Sequence, residues 1–240
     1  MALLSLLVSS LALVAPPTTQ KNTELDPIEK KLLAMVPRFT SLSATLTLKI
    51  DFSGKLSWDR TEAKGTVEYM IQSDKILSRV DVTSDSVSTV ATNETKTHDV
   101  HTLYGDGQFV FDIGETNGTK MAFKMKSDPM QIAVPSKALF DVLRQEYETK
   151  VLPDEKIDGK EVWVIEARPK DTEKTPAARM VSYVRKDIPL TIKTVSYTKF
   201  DKVFQTTTLT EIKVNPKIDP ERFVLKRPPD FEYYDVSKEE

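Results

Sequence analysis

The sequence predicts a mainly β chain of the α+β class, a large curved antiparallel sheet with helices on one side, and three observations carry this. From Leu42 to Phe52 every even position is apolar or small (Leu42, Ala44, Leu46, Leu48, Ile50, Phe52), against Ser43, Thr45, Thr47, Lys49 and Asp51. Period-two alternation of this kind marks a strand with one buried and one wetted face. In the last quarter, Leu190–Lys199 and Val203–Val214 alternate in the same way around a Phe200-Asp201-Lys202 turn, rich in β-branched residues. Helical spacing of apolar residues is read at only two places in the body of the chain.

The first helix is expected over Asp26–Val36. Asp26 stands where a cap is wanted, Pro27 suits the first helical position, Glu29 completes a capping box, and Ile28, Leu32, Met35 and Val36 make one apolar stripe before Pro37 ends it. The Leu42–Phe52 strand follows, then a polar connection over Lys55–Lys64 in which Leu56 and Trp58 could prolong a strand. Next come Gly65–Met70, a Gln72-Ser73-Asp74 turn and Ile76–Val82. Asp81–Thr97, rich in Ser, Thr and Asp, reads as a flexible edge hairpin. Val100–Tyr104 and Gln108–Ile113 flank a Gly105-Asp106-Gly107 turn, the clearest hairpin of the middle region. After a turn at Glu115–Thr119, Met121, Phe123 and Met125 alternate with lysines. The second helix begins after Pro135, with Ser136 as cap and Leu139, Val142 and Leu143 as its stripe, Phe140 and Tyr147 lying at the margins. Strands resume at Val162–Ala167 and Met180–Arg185. Asn215-Pro216 and Asp219-Pro220 then stop the last ladder, because proline lacks a donor and constrains its neighbour. No shift in composition divides residues 21–240, which read as a single domain.

At 240 residues the chain can bury a full core. A net charge of −2, with both signs interspersed, gives no field for nucleic acid or anionic lipid. The absence of cysteine removes disulfides, thiol chemistry, thiolate metal sites and cysteine-linked lipidation. Residues 1–20 open with about fifteen apolar or small residues, MALLSLLVSSLALVA, too few for the roughly twenty that span a bilayer. They are expected to be a signal or targeting segment, with Ala12 and Ala15 near the cleavage point, although no cation precedes Lys21. A buried N-terminal helix is the other reading.

Catalytic and metal signatures are missing. His98-Asp99-Val100-His101 is the one place where metal-ligand types cluster, and on a strand positions i and i+3 face opposite ways, so these histidines read as solvated. No serine sits in G-x-S-x-G, and no glycine-rich phosphate loop precedes a helix. The aromatics are not interleaved with arginine as single-strand nucleic-acid binders require. Asn93-Glu94-Thr95 and Asn117-Gly118-Thr119 match the glycosylation sequon, a short pattern that arises often by chance. The expectation is a protein that is not an enzyme and carries no metal or cofactor. What remains is apolar surface: a curved sheet crossed by helices makes either a lined cavity or an ordinary packed core from the same residues.

Several stretches, taken in order, resemble the LolA-like family of periplasmic lipoprotein carriers. They are the capped helix running into Phe39-Thr40-Ser41-Leu42, the strand opening Gly65-Thr66-Val67-Glu68-Tyr69, and Leu103-Tyr104-Gly105-Asp106-Gly107-Gln108-Phe109-Val110-Phe111-Asp112. After the second helix come Trp163–Lys170 and the closing Val214–Phe223 with Pro228-Pro229. The resemblance runs over most of the chain beyond the targeting segment. It implies an unclosed antiparallel β half-barrel with helices lidding the concave face, exported to the periplasm, that holds lipoprotein acyl chains on their way to the outer membrane. One departure stands out. The Arg-Pro pair that such carriers place just after the Gly-led strand is Ile71-Gln72 here, while Arg79 resembles a second arginine found a few residues downstream.

The energetics suit such a cargo. At about 0.8 kcal/mol per CH₂, a sixteen-carbon chain carries on the order of 12 kcal/mol of aversion to water, which only a sizeable apolar surface offsets. On this reading Leu46, Leu48, Ile50, Val67, Tyr69, Arg79, Phe109, Phe111, Met121, Phe123 and Met125 line the cavity, with parity on each strand open to a slip of one residue. Leu32, Val36, Leu139, Val142 and Leu143 form the lid. The partners expected are a lipid or acylated lipoprotein cargo, with an inner-membrane lipoprotein exporter and an outer-membrane acceptor, the carrier itself being a monomer. The rival is a lipid-sensing regulator on the same fold that binds a partner protein.

Overall fold

A computed structural model describes residues 24–53, 57–72, 75–127, 133–172, 175–226 and 228–237. The targeting segment expected over residues 1–20, the Lys55-Leu56 connection and the Ser73-Asp74 turn lie outside them. Twelve strands form one unclosed sheet in the order β12-β6-β5-β4-β3-β2-β1-β11-β10-β9-β8-β7. They are β1 (Ser41–Ser53), β2 (Ser57–Gln72), β3 (Lys75–Val90), β4 (Asn93–Gly105), β5 (Phe109–Thr116), β6 (Thr119–Lys126), β7 (Tyr147–Ile157), β8 (Lys160–Pro169), β9 (Arg179–Arg185), β10 (Thr191–Tyr197), β11 (Val203–Val214) and β12 (Glu232–Asp235). Every pairing described is antiparallel except β12 on β6. Two α-helices are described, α1 (Asp26–Met35) and α2 (Lys137–Glu146).

The described residues fall into two compact units, one within Met1–Arg38 and Asp128–Thr206, the other within Phe39–Ser127 and Thr207–Glu239. In the first unit, α1 and α2 close a core with β8 and β9. Leu25, Ile28 and Leu32 from the start of the chain and Phe140 and Leu143 from α2 pack with Ile165, Ala167 and Val184. Arg144 of α2 reaches the carboxylates of Asp26, at 2.9 Å, and Glu29, so the two helices are pinned by charge on one flank. Lys170 Nζ donates to the carbonyls of Arg144 and Gln145 and satisfies orphan acceptors at the C-terminus of α2.

Ser136 caps α2 as expected, accepting from the Leu139 amide. Asp26 does not cap α1. Leu25 holds the N-cap position in a helical conformation without a side-chain cap, and it is fully buried. Burial of a leucine outweighs a cap here, and Asp26 is left free for Arg144. Val36–Arg38 tightens into a 3₁₀ turn.

The second unit corrects two local expectations. β2 covers the described part of the supposed polar connection from Ser57 onward, burying Thr61 and Ala63 and turning Arg60, Glu62 and Lys64 outward. The supposed flexible edge hairpin is the junction of two long interior strands, β3 and β4, paired over the whole of β4 from Ser78↔Gly105 to Val90↔Asn93. Its Ser and Thr residues misled because small hydroxyl side chains, when buried, hide the alternation that apolar ones advertise. The loop between them turns at Ala91, held at φ +55°. At Asp106, by contrast, turn chemistry was legible: its carboxylate accepts from the amides of Gln108 (2.8 Å) and Phe109 (2.7 Å), and Gly107 takes φ +89°. The short polar strand β12 carries no sequence signal of its own.

Candidate apolar binding face

Directly opposed residues in a ladder point to one side of the sheet, so register sorts β1–β6 into two faces. On one face Leu42, Tyr69, Ser78, Gly105, Val110 and Met125 form a row across the six strands. About 7 Å along the strands comes Ala44, Val67, Val80, Leu103, Asp112 and Phe123. The third row is Leu46, Gly65, Val82, His101, Gly114 and Met121, and the fourth is Leu48, Ala63, Ser84, Asp99 and Thr116. Ile50, Thr61, Ser86 and Thr97 make the fifth. The face thus runs from apolar to polar along the strands, most sharply on β3 and β4. The opposite face is charged, with rows such as Lys49, Glu62, Asp85 and His98.

Of the expected cavity residues, Leu46, Leu48, Ile50, Val67, Tyr69, Met121, Phe123 and Met125 share the apolar face. Ile50, Val67 and Tyr69 are buried, and the other five are half-buried. Phe123 stacks on Tyr234 of β12 with ring centroids 5.3 Å apart. Phe109 and Phe111 stand on the charged face, one residue out of step, and Lys124 Nζ lies 4.1 Å from the Phe109 ring centroid. Hydrophobicity alone would turn Phe109, Phe111 and Ile113 toward the apolar side. The Asp106 turn sets the register instead, pairing Gly105 with Val110 and sending Asp112 and Gly114 there.

Arg79 also stands on the charged face, and its guanidinium is engaged. It donates to both carboxylate oxygens of Asp81 at 2.8 Å, to Tyr104 Oη at 2.8 Å and to the Arg222 carbonyl at 3.1 Å. Arg222 in turn donates to Glu68 at 2.6 Å, so the Pro220–Phe223 turn is clasped to this face. Burial pushes the Asp81 carboxyl upward, but the Arg79 and Thr102 hydrogen bonds outweigh it and hold its pKa below the ordinary 3.8. The residues expected in a lid lie in the first unit: Leu32 and Leu143 inside its closed core, Leu139 packed against it, Val36 and Val142 half-buried.

Four polar residues of the apolar face are buried without the sequence pattern showing it: Ser84, Asp99, His101 and Asp112. His98 and His101 do face opposite ways, but only His98 is solvated, beside Asp85. His101 is buried and meets Asp112 at 2.7 Å, its ring lying where a Cβ on Gly114 would come within 2.3 Å of Nδ1. Burial works against a charge on His101. The Asp112 hydrogen bond and the Asp112 and Asp99 carboxylates prevail, and its pKa is raised above the ordinary 6.5. Asp99, 3% exposed, meets Ser84 at 3.4 Å. The pairing of His101 with Asp112 becomes visible only once β4 and β5 are laid side by side. No group of three or more His, Cys, Asp or Glu among the described residues is arranged to hold a metal ion.

A recess of about 430 Å³ in the first unit is lined by Arg168, Ala178, Arg179, Thr198, Lys199 and Asp201. Its lining is charged and unsuited to an acyl chain. No helix among the described residues is long and apolar enough to cross a membrane.

A family model described only as an uncharacterised protein matches residues 140–226. No curated protein matches the chain. Among solved structures, an uncharacterised conserved protein from Thermus thermophilus is similar at 12% identity and a TM-score of 0.50, over 86% of this chain and 98% of that one. That likeness is one of fold. Looser likenesses include the MucA/MucB complex of Pseudomonas aeruginosa (13% identity, TM-score 0.45, 83% of this chain and 60% of that chain). Another is a LolA superfamily protein from Nitrosomonas europaea (10% identity, TM-score 0.31, 83% and 96%).

Proposed function

We propose that this protein is a periplasmic, non-catalytic carrier that binds acyl chains of lipids or lipoproteins against the apolar face of β1–β6 for transfer toward the outer membrane. The observation that supports it most is the state of that face. Leu46, Leu48, Val80, Leu103, Met121, Phe123 and Met125 are only half-buried, whereas the core under α1 and α2 has a fully buried centre in Leu25, Leu32 and Phe140, with half-buried residues such as Met35 and Leu139 packed around it. Apolar side chains held at partial exposure side by side are surface awaiting an apolar occupant. The opposite face intersperses its apolar residues, Phe109 and Phe111 among them, with charges such as Lys49, Glu62, Asp85 and Lys124.

On this reading the cargo is gathered by hydrocarbon burial, about 0.8 kcal/mol per CH₂, and released when that burial is exchanged for a membrane or a second apolar protein surface. An inner-membrane exporter and an outer-membrane acceptor are the partners this cycle calls for. Mass spectrometry of lipids extracted from gently purified native protein tests it. Acyl lipid or lipoprotein near one per chain is expected, and its repeated absence overturns the proposal.

A further inference from the structure

We propose that the polar row of the apolar face, centred on Asp99, seats a hydrogen-bond-donating lipid head, an inference that rests on the carrier reading. Asp99 Oδ2 takes the Ser84 hydroxyl at 3.4 Å, while Oδ1 is buried and has no hydrogen-bond partner among the described residues. A buried acceptor left without a donor is costly and rare enough to call for an occupant. None of the neighbouring polar groups on the same face is bonded to this oxygen. The hydroxyls of Thr61 and Ser86 bond each other at 2.9 Å, His101 Nδ1 meets Asp112, and the Ser88 hydroxyl is held by Asp59.

Position adds the orientation. The Asp99 row lies about 14 Å from the Val67–Phe123 row, two steps along the strands. An amphiphile laid on this face therefore finds apolar surface at the Leu42 end and carboxyl oxygen at the Asp99 end. With the carboxyls of Asp99 and Asp112 set against the one imidazole of His101, which meets Asp112, the unfilled group is an acceptor. The head it suits carries N–H or O–H donors; a fatty-acid carboxylate or a quaternary ammonium supplies none.

The test is displacement of a bound fluorescent acyl probe by phosphatidylethanolamine and by phosphatidylcholine with identical acyl chains, which differ at the head by the presence of N–H donors. The wild-type protein is expected to take phosphatidylethanolamine about tenfold more tightly. Asp99→Leu, close to isosteric and without an acceptor, is expected to bring the two within about twofold, its thermal midpoint reporting that it is folded. Equal displacement by the wild type, or a preference that survives in Asp99→Leu, overturns the seat and leaves the carrier reading standing. Displacement by neither lipid removes both. If the variant does not fold, the wild-type ratio decides alone.

Discussion

The core beneath α1 and α2 and the apolar face of β1–β6 use the same alphabet of Leu, Ile, Val, Phe and Met, yet they are finished differently. The first is closed: Leu25, Leu32 and Phe140 are at most 1% exposed. The second is left half-covered at Leu46, Leu48 and Met121, and it tolerates Asp99, His101 and Asp112 among its apolar residues. Stability accounts for the first arrangement. It does not account for the second, since a buried carboxyl oxygen without a donor and a line of half-exposed apolar side chains both cost free energy in the empty protein. The proposed binding of an amphiphile would account for both features.

Substitutions in the two regions should therefore part company. Phe140→Ala removes a fully buried ring from the closed core and is expected to cost about 3–5 kcal/mol, read by urea unfolding. Leu48→Ala should cost about 1 kcal/mol or less, because part of that side chain already meets water, and it should weaken uptake of a fluorescent acyl probe that Phe140→Ala spares while folded. Equal stability losses would erase the distinction. Gly114→Ala, whose Cβ would meet the His101 ring at 2.3 Å, is expected to lose about 1–3 kcal/mol by displacing that ring from Asp112. Asp99→Leu should leave the lipid-free protein at least as stable as wild type, about 1 kcal/mol better at most, because it removes an unpartnered buried acceptor. A loss of several kcal/mol instead would assign Asp99 a purely structural part.

The two faces of β3–β4 should also respond to pH with opposite signs. His101 has a pKa raised in the folded state, so its pairing with Asp112 stabilises the protein fully below 6.5 and fades as pH rises through the raised value. Asp81 has a lowered pKa, so its clasp with Arg79 is present above 3.8 and is lost as pH falls through the lowered value. Thermal midpoints followed from about pH 3 to about pH 9 should show both limbs, since that range spans the ordinary values of the two groups. His101→Gln should flatten the alkaline one only.

Strand pattern was most legible where apolar and polar residues alternate, as in β1, and where a turn has its own chemistry, as at Asp106 and Ser136. It failed where the buried side of a strand is built from hydroxyls, as in the second half of β3, because Ser84 and Ser86 look like surface. Parity failed on β5, where both alternate sets contain apolar residues and only the Asp106 turn and the His101–Asp112 pair decide between them. Arg79 was drawn into the cavity by its likeness to a family position, whereas register puts it with Glu68 and Tyr104 on the charged side. Long-range pairs of this kind, His101 with Asp112 or Arg79 with Arg222, leave no trace in local spacing.

One face of β1–β6 is proposed to receive hydrocarbon. Photo-crosslinking with a diazirine-bearing fatty acyl chain, followed by peptide mass spectrometry, reads this directly. Labels are expected on Leu46, Leu48, Met121 and Phe123 and not on Thr47, Lys64 or Lys124 across the sheet. Labels spread evenly over both faces, or gathered in the charged recess at Arg168 and Arg179, would contradict it.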